Sequence, residues 1–151
     1  MKKLFLFLAV STLALTSCSS DDDGGNNAQS FTFTVNGVQK TFSNIVVNEE
    51  VGEDYVDLTV TAFNSANPSE VIVFDVEEGD LGVDAVWSFT YSTNGEIYFY
   101  TGSAFNIIVT QNANNRLKGT FTGTLYRFFN SAPGEVNPQI NLTNGNFDFG
   151  Y

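Results

Sequence analysis

From Phe31 onward, apolar and polar residues alternate with a period of two, and turn residues punctuate the pattern at short intervals. Phe31, Phe33 and Val35 share one face, with Thr32 and Thr34 on the other. Asn36-Gly37 then leads into Val38–Phe42, and Asn-Gly between two such runs predicts a tight hairpin, because a type I′ turn needs positive φ at both central residues. Ile45–Val47 reads as a short separate strand. Tyr55–Phe63 reads as a long one, with Val56, Leu58, Val60 and Ala62 on one face. Asn64–Ser69, containing Pro68, reads as a loop, and Val71–Val76 as a central strand that is apolar on both faces except at Asp75.

Further along, Glu77–Asp80 reads as a turn. Ala85–Tyr91 places Trp87, Phe89 and Tyr91 on a common face, and Asn94-Gly95 turns the chain into Glu96–Thr101. In that strand Tyr98 and Tyr100 share a face with Glu96, while Ile97 and Phe99 take the other. Phe105, Ile107 and Val109 point one way on the next strand, and Leu117, Phe121 and Leu125 stay in phase along Arg116–Phe128. In the last segment the apolar phase slips, from Ile140 and Leu142 at even positions to Phe147, Phe149 and Tyr151 at odd ones. Either a bulge at Asn144-Gly145 with one residue in the left-handed region, or a true turn, restores both halves to the core face. No stretch has a helical period. About nine strands on short connections predict an all-β antiparallel meander over residues 31–151, closed as a β-sandwich or a lipocalin-like barrel to hide its edges.

The N-terminal region has a different pattern. Met1-Lys2-Lys3 precedes the apolar run Leu4–Leu15, which is shorter than the ~20 residues of a helical membrane span and matches a secretory signal. Leu15-Thr16-Ser17-Cys18 resembles a bacterial lipobox. The resemblance implies a signal peptide at 1–17, with Cys18 acylated and holding the protein to a membrane; several acyl chains on one residue give a stable anchor. Residues 18–30 carry no large apolar side chain after the cysteine and read as a disordered acidic tether, spanning roughly 20 Å. Asp21-Asp22-Asp23, directly behind the cysteine, resembles the surface-export signal of Bacteroidota lipoproteins, which implies an outer-membrane lipid anchor and display at the cell surface. Phe31-Thr32-Phe33-Thr34-Val35-Asn36-Gly37, Gly119-Thr120-Phe121-Thr122-Gly123 and Leu142-Thr143-Asn144-Gly145-Asn146-Phe147 resemble small Bacteroidota lipoproteins of unknown function. The shared motifs are turns and strands, so the likeness carries over no catalytic residue.

Composition narrows the chemistry. Residues 18–151 keep four basic side chains (Lys40, Arg116, Lys118 and Arg127) against 17 acidic ones, a formal charge of −13. That field repels nucleic acid and anionic headgroups, so nucleic acid is not an expected partner. The chain has no histidine, which excludes Ser-His-Asp and Cys-His catalysis and histidine-ligated metal sites. Cys18 is the sole cysteine, so lipidation removes both disulfides and thiol chemistry from the mature protein. Fifteen Phe, six Tyr and one Trp must then supply the core. No cofactor motif appears.

Three candidate chemistries follow. Two acidic groups, Glu49/Glu50/Glu53/Asp54/Asp57 and Asp75/Glu77/Glu78/Asp80/Asp84, have the oxygen ligands that calcium takes, the second more so, although neither has EF-hand spacing and charged turns are ordinarily just solvated. Asp57 and Asp75 lie within strong strand patterns, and a carboxylate pair on one face is the minimum for glycoside hydrolysis. Trp87, Tyr91, Tyr98 and Tyr100 fall on neighbouring strands and form an aromatic strip suited to a glycan, a peptide or a small apolar ligand, or else to ordinary packing. Together these features predict a membrane-anchored, exported, non-enzymatic binding or accessory module. The alternatives are a structural envelope component without a small ligand, or a carboxylate-dependent hydrolase.

Overall fold

The computed structural model describes residues 29–127 and 138–151. The signal segment 1–17, Cys18 and the tether up to residue 28 lie outside the described residues. Nine strands follow in order: β1 (Ser30–Val35), β2 (Val38–Val51), β3 (Val56–Asn64), β4 (Val71–Glu77), β5 (Val86–Thr93), β6 (Glu96–Phe99), β7 (Phe105–Asn112), β8 (Arg116–Arg127) and β9 (Gln139–Gly150). A single 3₁₀ turn, Gly102–Ala104, separates β6 from β7. Every pairing is antiparallel, and the wall runs β6-β5-β4-β3-β2-β1-β9-β8 before closing back on β6. The protein is therefore a closed eight-stranded barrel with one extra strand, β7, and the sandwich alternative is set aside.

The turns are those the sequence predicts. Asn36 and Gly37 have φ of 51° and 78°, and Asn94 and Gly95 have φ of 52° and 78°, the signs a type I′ hairpin requires. Inner-facing positions are apolar through the middle of the barrel, with polar side chains entering at its ends, Lys40 and Asn64 at one and Asn112 at the other. Phe31 sits at the centre, its ring 5.2 Å from that of Phe121, 5.8 Å from Phe147 and 6.1 Å from both Phe42 and Phe74. An eight-stranded barrel is just wide enough for side chains to fill it. Here phenylalanines do so, and among the described residues no ligand chamber runs down the middle.

Three bulges set the inner phase; those in β2 and β5 correct the sequence reading, and the one in β9 decides between its two alternatives. β2 is one strand of 14 residues rather than two short ones. Phe42 pairs with Asn64 and Asn44 with Phe63, so Ser43 is an extra residue that moves the inner phase from Phe42 to Ile45 and Val47. In β9, Asn144 takes φ of 53° while the strand continues past it, so the phase slip is a bulge and not a turn. In β5, Ser88 pairs with Asp75 and Val86 with Val76, leaving Trp87 as the extra residue. Val86, Phe89 and Tyr91 therefore point inward, and Trp87, predicted to share their face, is turned outward and is 48% exposed.

The barrel has two distinct ends. The Asn36-Gly37 and Asn94-Gly95 turns and the β3–β4 connection lie at one end, here termed the mouth. Ser30, the β2–β3 and β4–β5 connections, the 113–115 turn and Tyr151 lie at the other. Two connections at the second end are acidic: Glu53 and Asp54 lie in one, Glu78, Asp80 and Asp84 in the other. Ser30, which opens β1, lies at this end, so β1 starts opposite the mouth.

Candidate functional site

β6 and β7 run one after the other along the same edge of β8. Tyr98 and Phe99 pair with Arg127 and Tyr126, and β7 then takes over from Phe105 opposite Gly123 to Asn112 opposite Leu117. The chain steps sideways between them through residues 100–104. On the other side of this seam, β5 pairs with β6 only over Thr90–Thr93. Below that level the wall is held by a single bridge, Gly82 to Val109, with backbone hydrogen bonds of 2.9 and 3.0 Å. The first half of β5 thus faces β7 without a ladder between them.

A recess of about 480 Å³ opens at this seam. Its floor is Val86, Phe105 and Ile107, all core residues. Trp87 and Tyr100 form its aromatic walls, and Asp84, Ser103 and Asn106 its polar rim. Tyr100 is fixed at both ends: its hydroxyl donates to the Trp87 carbonyl at 2.8 Å, and its ring stacks on Phe105 at 5.9 Å. The bulge carbonyl is satisfied in this way, whereas the Trp87 indole is not. Among the described residues the indole stacks on no other ring, and its N–H has no acceptor; the side chains of Asp84, Ser103 and Asn106 likewise have no protein partner. An apolar floor, two aromatic walls and a few convergent polar groups are the features of a small-ligand site.

The predicted aromatic strip is divided between this recess and the mouth. Trp87 and Tyr100 line the seam. Tyr91 is buried in the core and, with Tyr98, lines a separate recess at the mouth. The expected alternation leaves open which face of β6 is core; the tyrosine face is, since Tyr98 and Tyr100 pack against the core while Ile97 is 58% exposed. Tyr98 pairs with Tyr91, whose ring already faces inward, and that register fixes the face.

The mouth holds a polar group that sequence reasoning missed. Glu70 is buried, and its carboxylate accepts from Lys40 Nζ at 2.8 Å, Asn64 Nδ2 at 2.7 Å and Asn67 Nδ2 at 3.4 Å. Burial alone would raise its pKa, but Lys40 and the two amides outweigh burial and hold it below the ordinary value. Burial pushes the Tyr91 hydroxyl up to about 12; a hydrogen bond with Thr93 opposes this and the nearby Glu70 carboxylate adds to it. The available signal was phase. Lys40 lies in step with Phe42, and Glu70 with Ile72 and Phe74, which puts one charge of each sign on the core face.

The acidic candidates do not converge. Asp75 lies on the outer face, where Thr59 Oγ1 donates to it at 2.8 Å. Glu77 sits opposite Asp57 on the same outer face. Glu78 receives the Tyr151 hydroxyl at 3.4 Å, Asp80 contributes its backbone carbonyl to Asn112, and Asp84 belongs to the seam. Among the described residues no three acidic side chains are placed to hold a metal ion, so the calcium reading loses its geometry. Asp57 and Asp75 share a face as the hydrolase reading requires, but it is the half-buried outside of the wall, and neither residue lines any of the recesses described above.

Compared with known protein families, curated proteins and solved structures, the chain matches none. Its function is therefore argued from the site itself.

Proposed function

We propose that this protein is a lipid-anchored, non-enzymatic binding module displayed at the outside of the cell, and that the seam between β5 and β7 takes a segment of neutral glycan. The observation that carries this reading is the bulge at Trp87, which holds the chain's single tryptophan outside the core, unstacked and over an apolar floor. A large ring exposed in this way gains from covering its face, and aromatic residues contribute much of the energy in such contacts. The surrounding Asp84, Ser103, Asn106 and indole N–H are unpaired hydrogen-bonding groups at the spacing of one recess, suited to hydroxyls. Among the described residues the recess is lined by a carboxylate and no cation, and the whole chain is acidic, which disfavours anionic ligands.

Two alternatives are less well supported. An extended peptide added as a strand needs free backbone groups along the edge of β7, but Gly82 already takes both the N–H and the carbonyl of Val109 there. Glycoside hydrolysis needs two convergent carboxylates, and Asp84 is the one carboxylate lining the recess.

Calorimetric titration of the purified protein with neutral and acidic oligosaccharides tests the reading. Saturable binding of a neutral oligosaccharide, lost in Trp87→Ala, is the expected result; tighter binding of acidic ones, or binding indifferent to Trp87, overturns it. Binding to no glycan would favour a structural envelope role. The anchor is tested separately: Cys18→Ser should abolish acyl labelling and move the protein out of the membrane fraction.

A further inference from the structure

We propose that the barrel mouth, at the end opposite the start of β1, is a second binding site, which takes a small neutral molecule carrying a carbonyl or hydroxyl oxygen on an apolar body. The site is independent of the seam and stands whether or not the seam binds glycan.

The mouth is a recess of about 280 Å³, the volume of roughly nine waters at ~30 Å³ each. Its walls are Val35, Val38, Ile140 and the two rings Tyr91 and Tyr98, with Lys40 at the base beside Glu70. Val38 stands 57% exposed at the rim. Lys40 has three donor hydrogens, and among the described residues its ammonium has one partner, Glu70. The remaining donors are available to an acceptor lodged between apolar walls.

Stability gives no reason for an ion pair in this position. Replacing a largely buried pair with apolar residues of similar volume is often neutral or stabilising, and the middle layers of this barrel are filled with hydrocarbon. Glu70 is also held more firmly than a simple counter-ion requires. Asn64 and Asn67 both donate to it, and Asn64 is itself fixed by accepting from the Ala66 amide at 2.9 Å. The carboxylate thus positions the ammonium, as a supporting shell positions a binding group.

The same pairing sets the ligand's charge. Lys40 and Glu70 are locally neutral together, so a ligand carboxylate would bring a second negative charge beside a buried first one, in a chain that is already strongly acidic. A carbonyl or hydroxyl oxygen accepts from Lys40 without that repulsion.

A matched pair of probes tests this on the purified protein by NMR: cyclohexanecarboxamide, neutral with one carbonyl acceptor, and cyclohexanecarboxylate, the same body with a charge. The expected result is saturable shifts of the Val35, Val38 and Ile140 methyls with the amide, no movement of the Trp87 indole, and at least about ten-fold weaker binding of the carboxylate. In Lys40→Met/Glu70→Gln, which removes both charges together, amide affinity should fall about ten-fold, the factor carried by a hydrogen bond to a charged group. Equal or tighter binding of the carboxylate, shifts confined to the seam, or no saturable shift at the mouth overturns the proposal. So does unchanged affinity in the paired variant. The wild-type probe pair decides the matter even if that variant does not fold.

Discussion

Two sides of the same barrel wall are built differently. On the side formed by β3, β2, β1, β9 and β8, long ladders run past the bulges: β2 with β3 from Phe42 to Val51, and β8 with β9 from Arg116 to Tyr126. Bulges occur on this side too, at Ser43 and Asn144, but each returns the following residues to the core, and the phenylalanines behind remain packed. On the side formed by β5, β6 and β7, one strand is replaced by two short ones with a sideways step between them, and the bulge at Trp87 faces a gap. There the displaced residue has no neighbour to cover it. The difference lies in what each bulge displays: recesses also open beside Ser43 and Asn144, but the bulge at the interrupted ladder is the one that leaves an exposed ring at its edge.

The comparison is open to test by mutation. The largest effect is expected on the continuous side. Phe31→Ala removes the ring that touches four others, and should cost about 3–5 kcal/mol, a large part of a domain's stability. Urea unfolding would show this as a lower midpoint at unchanged slope. If Phe31→Ala proved no worse than a seam substitution, the contrast between the two sides would fail.

The mouth should give the next largest effect. Glu70→Gln weakens three hydrogen bonds and leaves Lys40 without its counter-charge, at a cost of about 1–3 kcal/mol, moderated by the partial exposure of Lys40. The Glu70 carboxyl is held below its ordinary value of 4.5 in the folded protein, so its contribution is present above that pH and lost as pH falls through the folded value. Asp148 behaves the same way: burial opposes, but the hydrogen bonds of Lys118 and Arg116 win. Melting temperature should therefore fall on acidification below about pH 4.5, less steeply in Glu70→Gln than in the wild type. Equal slopes in the two proteins would remove Glu70 from the account.

On the seam side, Tyr100→Phe deletes the hydroxyl that satisfies the Trp87 carbonyl, and should cost about 1 kcal/mol. Trp87→Ala should change stability least, within about 0.5 kcal/mol, because the indole is half exposed and touches no other ring. A loss of several kcal/mol at Trp87 would mean that the ring packs as core and is not displayed for a ligand.

Much of this fold is legible in the sequence, for identifiable reasons. Asn36-Gly37 and Asn94-Gly95 declare their turns because few residues accept positive φ twice in succession. The bulge in β9 is legible because strong apolar residues on both sides, Leu142 and Phe147, expose the phase slip, and Asn144 readily adopts the left-handed region. The bulges at Ser43 and Trp87 are not, since neither residue marks an unusual backbone, and an aromatic at Trp87 fits the inner phase as well as the outer. That one ambiguity joined Trp87 to Tyr91 in a single strip and hid the division into two recesses. The Lys40–Glu70 pair was readable as a charge on each of two core faces, but their meeting depends on the closure of the barrel.

The most direct test of the central claim, that Trp87 is displayed at the seam to receive a neutral ligand, is collisional quenching. The chain's single tryptophan makes its emission an unmixed signal. Acrylamide should quench Trp87 readily in the free protein, and saturating neutral oligosaccharide should protect it, with the protection lost in Tyr100→Ala. Emission that is shielded from acrylamide in the free protein, or that stays equally accessible while the oligosaccharide is bound, would contradict the account.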